Sequence, residues 1–96
     1  MPPRTVAAAD PPPRSWPEVK CDRYTEAWNG ALAQFGRQGL SQDFLRRHAA
    51  FLASGCRSGR EVCPRSRAEL DLANAMTVAA MNAGAASSFL PFACHE

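Results

Sequence analysis

The sequence predicts an all-α domain, a small three-helix bundle (about 22–37, 41–54 and 66–84) tied by two disulfides. Three observations carry this expectation. The stretch from Ser66 to Gly84 is the longest apolar segment and opens on a helix-start pattern. Two stretches ahead of it repeat apolar residues every three or four positions. Four cysteines, Cys21, Cys56, Cys63 and Cys94, stand at wide spacings in only 96 residues.

Residues 1–20 carry six of the eight prolines, and Pro11-Pro12-Pro13 with Pro17 favour an extended or disordered arm over a helix. This divides the chain into a flexible arm, 1–20, and a disulfide-stabilised domain, 21–96. Trp16 stands out in the arm, either as an apolar anchor folded onto the domain or as part of a partner-binding surface. Met1-Pro2-Pro3-Arg4 lacks the apolar run of a signal peptide, whereas Ala7-Ala8-Ala9-Asp10 has the small residues of a cleavage site. That pattern fits an export signal already removed.

In the first helix Tyr24, Ala27, Trp28, Ala31, Leu32 and Phe35 form one apolar stripe, with Arg23, Glu26, Asn29, Gln34 and Arg37 opposite. Gly36 and Gly39 end it. The second helix starts at Ser41, where Leu40 and Leu45 occupy the positions of a hydrophobic staple. Phe44, Leu45, His48, Phe51 and Leu52 make its inner face, and Gly55 supplies the stop. His48 on that face has the chemistry of a metal ligand or a pH switch. The expectation is instead a partly buried side chain with one hydrogen bond to the backbone.

Ser66-Arg67-Ala68-Glu69 is a capping box, sharpened by Pro64 before it, and Gly84 can close the helix. Arg67, Asp71, Asn74 and Asn82 share a narrow sector of this third helix, while apolar residues fill the remainder. Such a helix is expected to be covered from several sides, with Met76 and Met81 filling gaps rather than binding copper. Its polar interruptions and short uncharged run do not suit a membrane span. After Gly84, the apolar Phe89, Leu90 and Phe92 are expected to fold back along the bundle, with His95 left disordered at the end.

An even set of cysteines without C-x-x-C indicates two structural disulfides and an oxidising compartment, periplasmic or secreted. If the helices run up-down-up, Cys21, Cys56 and Cys63 share one end of the bundle and the tail can bring Cys94 to it. Every pairing is then within reach. Cys56–Cys63 with Cys21–Cys94 is the favoured pattern, and Cys21–Cys56 with Cys63–Cys94 its rival.

The formal net charge of +2 is too small to predict a nucleic-acid partner. No paired carboxylates, Gly-rich phosphate loop or G-x-S-x-G elbow is present, so no enzyme activity or cofactor is expected. Arg57, Arg60 and Arg65, between the second and third helices, can present bidentate donors to an acidic protein surface. The run from Cys63-Pro64 through a small-residue helix to Phe92-Ala93-Cys94 resembles the C-terminal half of small periplasmic immunity proteins of bacterial toxin systems. It covers about the last third of the chain and carries no contact residues over. The expected function is that of an exported, non-catalytic protein binding another protein, as inhibitor, immunity factor or small accessory subunit. A small apolar-ligand carrier and a Cys/His metal-binding domain are the alternatives, while the oligomeric state is open.

Overall fold

The computed structural model describes residues 15–85 and 89–95. Three helices make up its regular structure: α1, Trp16–Phe35; α2, Gln42–Ala53; and α3, Arg67–Asn82. The all-α class and the two disulfides are as expected. The proline run at 11–13 and the small residues at 7–9 lie outside the described residues.

The first helix begins six residues before the expected Asp22. Ser15 and Glu18 form a capping box, the Ser15 hydroxyl accepting from the Glu18 amide and the Glu18 carboxylate from the Ser15 amide. Pro17 falls in the first turn, where its missing N–H has no intrahelical acceptor to lose. Proline thus tolerates the helix start it was expected to prevent, and residues 16–20 belong to the helical domain. At the other end the helix stops at Phe35, whose side chain is exposed rather than part of the apolar stripe.

Ser41 and Ser66 cap α2 and α3 as the sequence predicts. Both helices close in the same six-residue turn. In α2 the Cys56 amide donates to the Phe51 carbonyl and the Gly55 amide to Leu52. In α3 the Ala85 amide donates to Ala80 and the Gly84 amide to Met81.

The helix directions differ from an up-down-up bundle. Along α1, Cys21, Tyr24 and Trp28 meet Cys56, Phe51 and Phe44 in turn, so α1 and α2 are antiparallel. Trp16 lies by Gly84, and Ala27 lines a cleft with Ala79 and Ala80, so α3 is antiparallel to α1 as well. Helices α2 and α3 therefore start at the same end. The Glu69 Oε2 accepts from the Ser41 amide at 2.7 Å, and the Ser66 hydroxyl donates to the Gly39 carbonyl at 2.6 Å. The connection from Ser54 to Ser66 must return along the full length of α2 instead of making a short turn.

That return decides the disulfides. Cys56 sits at the C-terminal end of α2, whereas Cys63 lines grooves with Asp43 and Arg47 near its start. A twelve-residue helix spans about 18 Å at 1.5 Å per residue, which separates these two cysteines. The favoured pairing of Cys56–Cys63 with Cys21–Cys94 is thus wrong. The structure joins Cys21 to Cys56 and Cys63 to Cys94, with Cα–Cα distances of 5.6 and 4.7 Å. The C-terminal tail takes the same route home: a parallel bridge pairs Val62 with Phe92, the Val62 amide donating to Pro91 and the Ala93 amide to Val62. Leu90 and Pro91 are buried, so the expected folding-back of the tail is observed. His95 is held too, its Nε2 bonding the Arg60 carbonyl, because the paired tail delivers it there.

Glu69 is the buried charge that makes the shared end possible. Its Oε1 accepts from the Arg65 and Ser66 amides at 2.8 and 3.1 Å, in addition to the Oε2 bond from Ser41. One carboxylate, 3% exposed, so caps α3 and receives an otherwise free donor at the start of α2. Burial alone would raise its pKa; the backbone donors at Ser41, Arg65 and Ser66 outweigh this and hold it below the usual carboxylate range. Gly39 completes the junction at a φ of +86°, and a Cβ there would meet Ala68 Cβ at 2.8 Å.

Two outcomes follow for stability. Glu69→Ala is expected to cost about 2 kcal/mol in urea denaturation, because it takes the shared acceptor from three part-buried backbone donors. Gly39→Ala is expected to cost more than about 2 kcal/mol, since the substitution combines a left-handed φ with a backbone-adjacent clash. A loss below about 0.5 kcal/mol in either chain would contradict the shared junction.

Candidate functional site

The interior offers one unusual group. His48 is fully buried, and its Nε2 lies 2.8 Å from the Tyr24 hydroxyl. The expected backbone hydrogen bond is absent because α1 brings a side-chain partner instead. The Trp28 ring stacks on the imidazole at a centroid distance of 3.5 Å. Phe92 of the tail lies 5.9 Å away and Phe51 6.1 Å away, completing an aromatic box. The other nitrogen, Nδ1, has no hydrogen-bond partner among the described residues.

Desolvation by burial lowers the His48 pKa from 6.5 to about 4. A protonated ring would also present an N–H at Nδ1 with no acceptor. Burial likewise raises the Tyr24 pKa, so at neutral pH the pair is an uncharged imidazole and an uncharged phenol. The described neighbours of the pair are aromatic rings, Trp28, Phe51, Phe89 and Phe92, so its chemistry is that of a polar peg in an aromatic core.

The metal reading loses its ligands, because all four cysteine sulfurs are in disulfides. Among the described residues no three of His, Cys, Asp and Glu come together in a way that could hold an ion. Among the described residues no helix is long and apolar enough to cross a membrane. The cleft between α1 and α3, lined by Tyr24, Ala27, Ala80 and Phe89, has a volume of ≈ 20 Å³, room for about one water. Phe44 and Met76, which would line a ligand cavity, are instead packed in the core together with Phe51.

On the surface the expected contact residues are distributed rather than gathered. Arg57 lines a groove with the α1 acids Glu18 and Asp22. Arg65 lines another with Asp43, Arg47, Glu61 and His95, and Arg60 offers its carbonyl to that histidine. The loop is thus interleaved with acids, not a continuous basic face. Trp16 is half-exposed at the start of α1, with Arg23 5.4 Å and Lys20 5.9 Å from its ring centroid.

The larger surprise is on α3. Helical periodicity places Leu70, Asn74, Val78 and Met81 along one line, and its three apolar members are 45%, 59% and 58% exposed. The third helix is therefore not covered on every side: α1 and the core take Leu72, Ala73, Met76 and Ala80, and the row at 70, 78 and 81 is left outside. Composition did not separate these positions, since alanine, leucine and methionine occur on both faces. The Arg67–Asp71 ion pair, at 3.3 Å, flanks the row at its N-terminal end. Met81 and Trp16 lie at the same end of the molecule, because Trp16 rests by Gly84.

Fold and surface together define a disulfide-stapled helical protein with an apolar row on the outer face of α3. No protein-family model, curated protein or solved structure matches the chain. The likeness to immunity proteins accordingly rests on the residues of 63–94 alone.

The buried imidazole makes stability depend on pH with a definite sign. Unfolded, His48 takes up a proton near pH 6.5; folded, it does so only near pH 4. Between these values the unfolded chain binds the extra proton, so acidification favours unfolding. The His48 contribution is complete above about pH 7 and is lost by about pH 4, a change of about 3 kcal/mol. Urea midpoints measured across that window should fall accordingly, and His48→Phe should flatten the part of the slope near pH 6. An equal slope in both chains would remove His48 as its source.

Proposed function

We propose that this chain is an exported, non-catalytic helical protein that binds another protein, as inhibitor, immunity factor or small accessory subunit. The observation that carries the reading is the row of Leu70, Val78 and Met81 exposed on a helix whose opposite face is locked into the core. A helix held in this way presents side chains with little ordering entropy left to lose on association, and three apolar anchors at helical spacing suit a groove on a partner. Two disulfides support export to an oxidising compartment, the periplasm or the exterior. The tight interior supports a binder over a carrier, because the α1–α3 cleft has no room for an apolar ligand.

The test uses the oxidised full chain, immobilised and exposed to the envelope and secreted fractions of its source. The expected result is a protein retained in stoichiometric amount by the unmodified chain. A Val78→Asp, Met81→Asp chain with an unchanged melting temperature should lose at least about tenfold in affinity, as buried apolar anchors do when charged. Equal capture by both chains would exclude the α3 row as the contact surface. Recovery of lipid in place of protein would establish the carrier.

A further inference from the structure

The two disulfides differ in access, and this difference is independent of whether the α3 row binds a partner. Cys21 and Cys56 are 8% and 7% exposed and belong to the core cluster with Tyr24 and Trp28. Cys94 is exposed and Cys63 half-buried at the opposite end of the molecule. A groove of ≈ 240 Å³ runs beside Cys63, lined by Asp43, Arg47, Glu61, Arg65, Ala93 and His95. We propose that Cys63–Cys94 is a thiol-exchange site for a dithiol reductant, and that opening it releases the C-terminal tail while Cys21–Cys56 keeps the helices together.

Access and charge point the same way. A thiolate must approach a disulfide sulfur from outside, and exposed Cys94 offers that approach. The groove beside its partner Cys63 carries two arginines and two carboxylates, so an incoming anion meets no net repulsion at this end of the molecule. The groove beside Cys21 has Glu18 and Asp22 against one arginine, Arg57, which leaves it net negative.

The chemistry balances as follows. One thiolate of the dithiol attacks the Cys94 sulfur, forming a mixed disulfide and expelling Cys63 as a thiolate, which takes a proton. The second thiol of the reductant, deprotonated, then attacks its own sulfur in the mixed disulfide and expels Cys94, which is protonated in turn. The dithiol becomes a cyclic or intramolecular disulfide, and the protein gains two electrons and two protons.

What this step frees can be read from the tail's remaining ties. Two backbone hydrogen bonds hold residues 91–93 to Val62, and His95 bonds the Arg60 carbonyl. Phe89 packs edge-on to Tyr24 and Phe51, and Phe92 lies 6.4 Å from Phe44 and 5.9 Å from His48. The tail is thus a cover over the aromatic box, and the Cys63–Cys94 bond is its only covalent fastening beyond α3. None of these ties lies between α1 and α2, which Cys21–Cys56 joins directly.

The experiment takes the oxidised full chain at neutral pH through a time course with limiting dithiothreitol, followed by acid quench, alkylation and peptide mass mapping. Cys63 and Cys94 should become alkylated at least about tenfold faster than Cys21 and Cys56. With glutathione in place of the dithiol, the mixed disulfide should accumulate on Cys94. In the singly reduced species, hydrogen exchange at the Val62 and Ala93 amides should rise at least about tenfold while the mid-helix amides of α1 and α2 keep their protection. Loss of both disulfides together, or of Cys21–Cys56 first, would overturn the proposal, as would unchanged protection at Val62 and Ala93 after selective reduction. A Cys63→Ser, Cys94→Ser chain supplies a second measurement. It should keep its helical circular dichroism and show the unprotected Ala93 amide without reductant; a chain that loses its helices would make the bridge a fold requirement and sink the idea.

Discussion

Two helix starts converge on the carboxylate of Glu69, and the arrangement of the bundle depends on that convergence. The same side chain that closes the capping box of α3 accepts the Ser41 amide at the start of α2. A carboxylate is suited to this position because the N-terminal ends of both helices direct partial positive charge at it. Charge burial is ordinarily unfavourable; here three backbone donors replace the lost water. Ser66 reinforces the joint by donating to Gly39, at the one place where a missing Cβ lets the chain lie against Ala68.

Once α2 and α3 start together, everything downstream is constrained. The chain after Cys56 has to travel back past α2 before α3 can begin, and the tail after α3 has to make the same journey. Two extended segments running the same way beside each other can pair, which is what Val62 and Phe92 do. The disulfides are consequences of this layout. Cys21 and Cys56 close the end where α1 begins, and Cys63 and Cys94 close the end where the two returning segments arrive. A core this small gains from both, because each bridge closes a loop of more than thirty residues, with sequence separations of 35 and 31.

The distribution of polar and apolar groups is inverted at two places. A neutral histidine sits inside, stacked on Trp28 and bonded to Tyr24, and a row of leucine, valine and methionine sits outside on α3. The first inversion is compensated by a hydrogen bond and by ring stacking, with one ring nitrogen left without a partner among the described residues. Among the described residues nothing covers the second, and this asymmetry favours the α3 row, rather than the buried histidine, as the working surface. The basic loop contributes less than its composition suggests, because the fold sets each of its grooves among carboxylates.

Local features are legible in the amino-acid order. Ser41 and Ser66 as helix caps, the glycines at 55 and 84 as stops, and the stripe from Tyr24 to Leu32 are all decided by side chains within a few residues of one another. Ser15-Trp16-Pro17-Glu18 carries the same kind of signal, masked by a proline that breaks helices in their interior but is tolerated in a first turn. Tertiary structure alone decided the helix directions, and with them the disulfide pairing, the Tyr24 partner of His48 and the exposure of Leu70, Val78 and Met81. The physical reason is that the relative direction of α2 and α3 depends on Glu69 reaching Ser41 across 28 positions of sequence. No periodicity or spacing records a hydrogen bond of that range, because the donor is a backbone amide and every residue except proline has one.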